Sequence, residues 1–142
     1  MKQSLIITAL ILAGGFAASA QKLKESQVPE AVKTSFAKQY PGVTAKWEKE
    51  DANFEAGFKK DGKAISVLYQ ADGIKKESEV SIKESELPAT VLNYIKANYN
   101  GKKIQESAKI TKADGTINYE AEVEGKDIIF DSKGKFLKEA KD

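Results

Sequence analysis

Lys24-Glu25-Ser26-Gln27-Val28-Pro29-Glu30-Ala31-Val32 returns 59 residues later as Lys83-Glu84-Ser85-Glu86-Leu87-Pro88-Ala89-Thr90-Val91, with five of the nine positions identical. At the same offset Phe36 meets Ile95, Tyr40 meets Tyr99 and Gly42 meets Gly101. Further on, Phe54-Glu55-Ala56 matches Tyr119-Glu120-Ala121, and Leu68-Tyr69 matches Ile129-Phe130. Matches in that order along the chain indicate one unit written twice. Each unit opens with a helix, because Val28, Val32, Phe36 and Tyr40 recur every four residues, as do Leu87, Val91, Ile95 and Tyr99. Pro29 and Pro88 suit the first helical position, with Ser26 and Ser85 as caps one turn earlier as the other register. Pro41-Gly42 and Asn100-Gly101 end the helices after about 12 residues.

Outward from each helix the period changes from about four to two. Trp47 follows Val43 and Ala45 in one alternating set; Phe54, Ala56 and Phe58 form a second; Ile65, Val67 and Tyr69 a third; and Ile74 to Ile82 reads as a more polar fourth strand. In the second unit the sets are Ile104, Ala108 and Ile110, then Ile117, Tyr119, Ala121 and Val123, then Ile128 and Phe130, then a short strand at Phe136. Asp61-Gly62, Asp72-Gly73, Asp114-Gly115, Glu124-Gly125 and Lys133-Gly134 sit at the junctions, where hairpins need positive φ. The expected fold class is α+β: two tandem helix-plus-four-antiparallel-strand repeats forming one sheet with both helices on one face. The repeats span 24–82 and 83–139 within a single domain, 21–142, and the ends Gln21–Lys24 and Ala140–Asp142 read as loose.

Met1–Ala20 reads as a signal peptide. Lys2 is its one charge, an apolar run extends from Leu5 to Ala17, and Ala18-Ser19-Ala20 offers a small-residue cleavage site. The run is short for a spanning helix, so the expected location is periplasmic or secreted, with no membrane contact after cleavage. The full chain of 142 residues carries 23 basic and 21 acidic residues, a formal +2, and has neither Cys nor His. Those absences exclude disulfides, thiolate and imidazole metal sites, and any triad built on an imidazole base. Interspersed charges near neutrality give no reason to expect nucleic acid as a partner.

The pattern V-P-x-x-V-x-x-x-F-x-x-x-Y-P-G from Val28 to Gly42, then Trp47, then F-E-A-x-F-x-x-D-G-K from Phe54 to Lys63, then Asp72-Gly73, resembles the PepSY-like family. That family comprises small exported proteins frequent in Bacteroidetes, named for likeness to the β-lactamase inhibitor protein and to peptidase pro-domains. The resemblance spans the chain after Ala20 and implies a tandem helix-plus-sheet protein whose open sheet face grips another protein. It transfers no catalytic residue.

Paired carboxylates are the remaining acid–base option. Glu48 with Glu50, and Glu120 with Glu122 and Glu124, alternate along strands among Lys46, Lys59 and Lys109, and read as solvated cross-strand charges with ordinary titration. Ser26 and Ser85 beside Lys24 and Lys83 read as caps, not nucleophiles. Asp114, Thr116, Asn118 and Glu120 lack the spacing of a calcium loop and read as a turn. No catalytic, metal or cofactor residues are therefore assigned. Leu68 and Ile129 break the alternation at equivalent places, which would put them on the polar face, ringed by Glu55, Lys59, Glu120 and Glu122. Those six residues are the candidate partner-contact patch, with an apolar centre and a charged rim, and Asp at Leu68 and Ile129 should leave the fold intact. The expected function is that of an exported, non-enzymatic protein-binding module, an inhibitor or modulator of a peptidase or envelope enzyme. The alternatives are a periplasmic protein binding a small ligand near Trp47, and a carboxylate-based hydrolase marked by a raised carboxyl pKa. The oligomeric state is open at this point.

Overall fold

The computed structural model describes residues 20–141; apart from Ala20, the expected signal peptide lies outside the described residues. The first part of the chain forms β1 (Gln21–Leu23), α1 (Glu30–Gln39), β2 (Lys46–Glu50), β3 (Asn53–Lys60), β4 (Lys63–Gln70) and β5 (Lys75–Ser81). The second forms α2 (Ala89–Asn98), β6 (Glu106–Lys112), β7 (Ile117–Val123), β8 (Lys126–Phe130) and β9 (Phe136–Lys141). Strands β1 to β4 pair in chain order in the first part, and β6 to β9 in the second, each pair antiparallel, the α+β tandem arrangement that the duplicated sequence predicts. The chain divides into two compact units, one ending at Ser78 and the other beginning at Glu79, so the division falls within β5.

In the first unit Val28, Val32 and Phe36 of the α1 segment pack on Trp47, Phe54, Ala56, Phe58, Val67 and Tyr69, with Tyr40 partly buried at the margin. Phe36 stands edge-on to both Trp47 and Phe58 at 5.4 Å, a favoured aromatic arrangement. Pro29 lies just before the first helical residue, and its carbonyl accepts hydrogen bonds from the Val32 and Lys33 N–H groups. The serines do not cap. Instead each helix is preceded by a 3₁₀ turn, in which the Lys24 N–H donates to Gln27 Oε1 at 2.8 Å and the Lys83 N–H to Glu86 Oε2 at 2.7 Å. A longer side chain three residues on reaches back where a Ser hydroxyl does not.

In the second unit Leu87, Val91 and Ile95 pack on Ala121, Val123, Ile128 and Phe130. Tyr94 adds a ring stacked on Phe136 at 5.0 Å. Here Ala108 and Ile110 depart from expectation. They stand opposite Glu120 and Asn118, so they face away from α2, and Ser107 takes the position across from Ala121. Ile104 packs on the helix-side core from the loop before β6, and that loop shifts the phase of the strand by one residue.

Both ends expected to be loose contain strand. β1 pairs antiparallel with β2, setting Leu23 opposite Trp47, and β9 runs as far as Lys141. Turn geometry follows the Asp-Gly and Glu-Gly signals: Asp61 and Gly62, and Glu124 and Gly125, all have positive φ. Asp114 makes a turn, with Oδ1 accepting from the Thr116 N–H at 2.8 Å; hydrogen bonds from the Thr116 side chain first and its backbone N–H second hold the carboxyl below the ordinary value.

Candidate functional site

Alternation divides each unit's strands into a side under its helix and a side turned away. In the first unit the far side carries Lys46, Glu48 and Glu50 of β2, Asn53, Glu55 and Lys59 of β3, and Ser66 and Leu68 of β4. Glu48 stands opposite Glu55, Glu55 opposite Leu68, and Glu50 opposite Asn53. In the second unit Ala108 stands opposite Glu120, Glu120 opposite Ile129, Ile110 opposite Asn118, and Glu122 opposite Asp127. Glu55 with Leu68 is thus repeated as Glu120 with Ile129, and Asn53 as Asn118.

The six candidate residues lie on these far sides, but four of them are not at the surface. Leu68 is 4% exposed, Ile129 2%, Glu55 3% and Glu120 7%, whereas Lys59 is exposed and Glu122 half-buried. An apolar centre with a wet acidic rim is therefore not what the fold builds. Leu68 and Ile129 sit on strands flanked by neighbours on both sides, and long side chains on those neighbours close over such positions.

Burial changes the chemistry of the acids. Glu50 and Glu55 form a side-chain hydrogen bond with each other. Burial is the main cause that pushes Glu50 up to about 7 and Glu55 up to about 9. Glu48 and Glu77 raise both further, and Asp51 adds to the effect on Glu50. Two carboxyls can share a hydrogen bond only while one is protonated, so at neutral pH the pair holds a proton that two solvated glutamates would have released. The sequence reading of Glu48 and Glu50 as solvated charges is thereby corrected for Glu50. The missed signal was the short turn at Asp51-Ala52: it folds β2 back on β3 and brings Glu50 beside Glu55 on the same side. One oxygen of each, Oε2, is buried without a hydrogen-bond partner.

A raised carboxyl is also what an acid–base hydrolase requires. Here, however, both members are more than nine-tenths covered and are bonded directly to each other, an arrangement that gives a bulky substrate no place between them. Around Trp47 the rings pack on one another. Among the described residues no group of three or more acids is arranged to hold a metal ion, and no helix is long and apolar enough to cross a membrane.

The family model described as "Putative beta-lactamase-inhibitor-like, PepSY-like" matches residues 17–74 and again 52–138. The chain belongs to this PepSY-like family. No curated protein sequence matches it. Among solved structures it is similar to a protein of Bacteroides eggerthii titled as a "putative periplasmic" one, at 21% identity and TM-score 0.71, covering 79% of this chain and 87% of that one. A DUF2874 family protein of Bacteroides uniformis is similar at 19% identity and TM-score 0.70, covering 78% and 87%. A BLIP-like protein of Bacteroides fragilis is similar at 24% identity and TM-score 0.62, covering 78% and 84%. These likenesses show the fold.

Proposed function

We propose that the protein is an exported, non-enzymatic binding module that docks another periplasmic or secreted protein on the sheet side turned away from its helices, and so inhibits or modulates a peptidase or envelope enzyme. One observation carries this reading: the pairing of a buried glutamate with a buried apolar residue across adjacent strands, Glu55 with Leu68 and Glu120 with Ile129, occurs in both units. A core already supplied by the helix side gains nothing from burying acids on the other, and local breaches of the folding pattern mark functional surfaces. The inhibitor-like description of the family supports the same reading.

The test uses charges that share this side and reach solvent, because those leave the buried pairs intact. Lys59→Glu with Glu122→Lys should abolish capture of a partner from native periplasm, while Lys33→Glu on α1 should leave capture unchanged. Equal capture by all three proteins would remove the reading. Turnover of peptide or glycan substrates by the purified chain, lost in Glu55→Gln, would favour a hydrolase instead.

A further inference from the structure

We propose that the Glu50–Glu55 carboxyl pair is a proton-operated latch over Leu68: it keeps that side chain covered while the two acids share a proton and releases it when both ionise. Glu55 stands directly across from Leu68, and Glu50 reaches Glu55 from the neighbouring strand through their side-chain hydrogen bond. Glu55 is therefore held in place by a bond that exists only in the protonated pair. Once the proton leaves, two like charges remain in contact inside a covered site, where both repulsion and lost hydration act against them. A glutamate side chain has rotatable bonds enough to turn outward into water, and Leu68 loses its cover when Glu55 does so.

The groups facing the pair set the balance. From β1 comes Lys22, opposite Glu48; from β2, Lys46 and Glu48; from the following turn, Asp51; from β3, Lys59. β4 contributes the uncharged Ala64, Ser66, Leu68 and Gln70, and alternation along the part of β5 in this unit adds Lys75 and Glu77. The neighbouring charges that act most strongly on the pair are nevertheless all acidic: Glu48, Glu77 and Asp51. In the second unit the places of Glu48 and Glu50 are taken by Ala108 and Ile110. The latch, built on Glu50, is placed in the first unit. It does not depend on the binding reading, since access to Leu68 is measured without any partner.

The chain contains no cysteine, so a single introduced thiol is a clean reporter. Leu68→Cys is reacted with iodoacetamide from about pH 6 to about pH 10, and its rate is divided by that of Ile74→Cys at an exposed position, which removes the titration of an exposed thiol; the same ratio in the Glu50→Gln, Glu55→Gln background removes the raised titration of a buried one. The relative rate at Leu68→Cys should rise by about tenfold or more across that range, and adding Glu50→Gln and Glu55→Gln should hold it flat and low. A flat profile in the parent, or an equal rise in the Gln background, would overturn the latch. If Leu68→Cys does not fold, nuclear Overhauser contacts between the Leu68 methyls and the Glu55 side chain in the unaltered protein take its place. Their loss at high pH supports the latch, and their persistence rejects it.

Discussion

A methyl group at Gly73 would stand 2.5 Å from the carbonyl oxygen of Ala31 in α1, at a residue whose φ of +86° already disfavours a side chain. Ser35 Oγ seals the same contact by donating to the Gly73 carbonyl at 2.6 Å. The second unit repeats the device: Thr90 Oγ1 donates to the Lys133 carbonyl at 2.8 Å, and a Cβ at Gly134 would collide with Thr90. Gly73→Ala should therefore destabilise the protein by about 2 kcal/mol or more in urea unfolding, combining backbone strain with a clash against main chain. Gly115→Ala, also at positive φ but with open space around it, should lose only the backbone part, about 1 kcal/mol. The sequence marks all of these as turn glycines, because Asp-Gly and Lys-Gly signals are local. That two of them touch a helix some 40 residues away is not local, and no pattern in the turn itself records it.

At the scale of elements, the helices were the most legible part, since a four-residue spacing of large apolar side chains fixes which face is covered whatever it packs upon. Phe36→Asp should abolish cooperative thermal unfolding, because its carboxylate would enter a core of Trp47, Phe58 and Tyr40 with no partner. Period-two strands were legible in order, one short in number, and less legible in facing. β6 was misread because Ile104, Ala108 and Ile110 share a parity that the intervening loop breaks. β1 was missed because three residues with one apolar side chain carry no periodicity. It nevertheless adds Leu23 to the core beside Trp47, so deleting Gln21–Leu23 should lower stability by about 1 kcal/mol, read as a fall in the urea midpoint. Covered Leu68 also changes the expected result of Leu68→Asp. Placed opposite Glu55, the new carboxylate adds a third acid to a buried pair, and the variant should lose stability where an exposed patch would have tolerated it.

For the whole molecule, composition conceals what burial does to the acids. A formal charge of +2 with the signs interspersed describes a chain in water and says nothing of which glutamates fold away from it; only the register, which brings β2 against β3, makes Glu50 and Glu55 a pair. The consequence is a pH dependence opposite to that of salt-bridged carboxylates. Both groups lie above the ordinary value of 4.5, at about 7 and about 9, so between those limits the folded chain binds more protons than the unfolded one and stability falls as pH rises. The contribution is fully present below about pH 4.5 and is lost as pH climbs through the two raised values. Glu50→Gln with Glu55→Gln keeps a donor and an acceptor side by side without the titration. It should therefore flatten the urea-unfolding profile between about pH 5 and pH 9 and leave the variant more stable than the parent at about pH 8. A variant that kept the parent's slope would place the titrating groups elsewhere in the fold. One that was less stable at every pH would mean that the carboxyls, even charged, hold the strands better than neutral amides do.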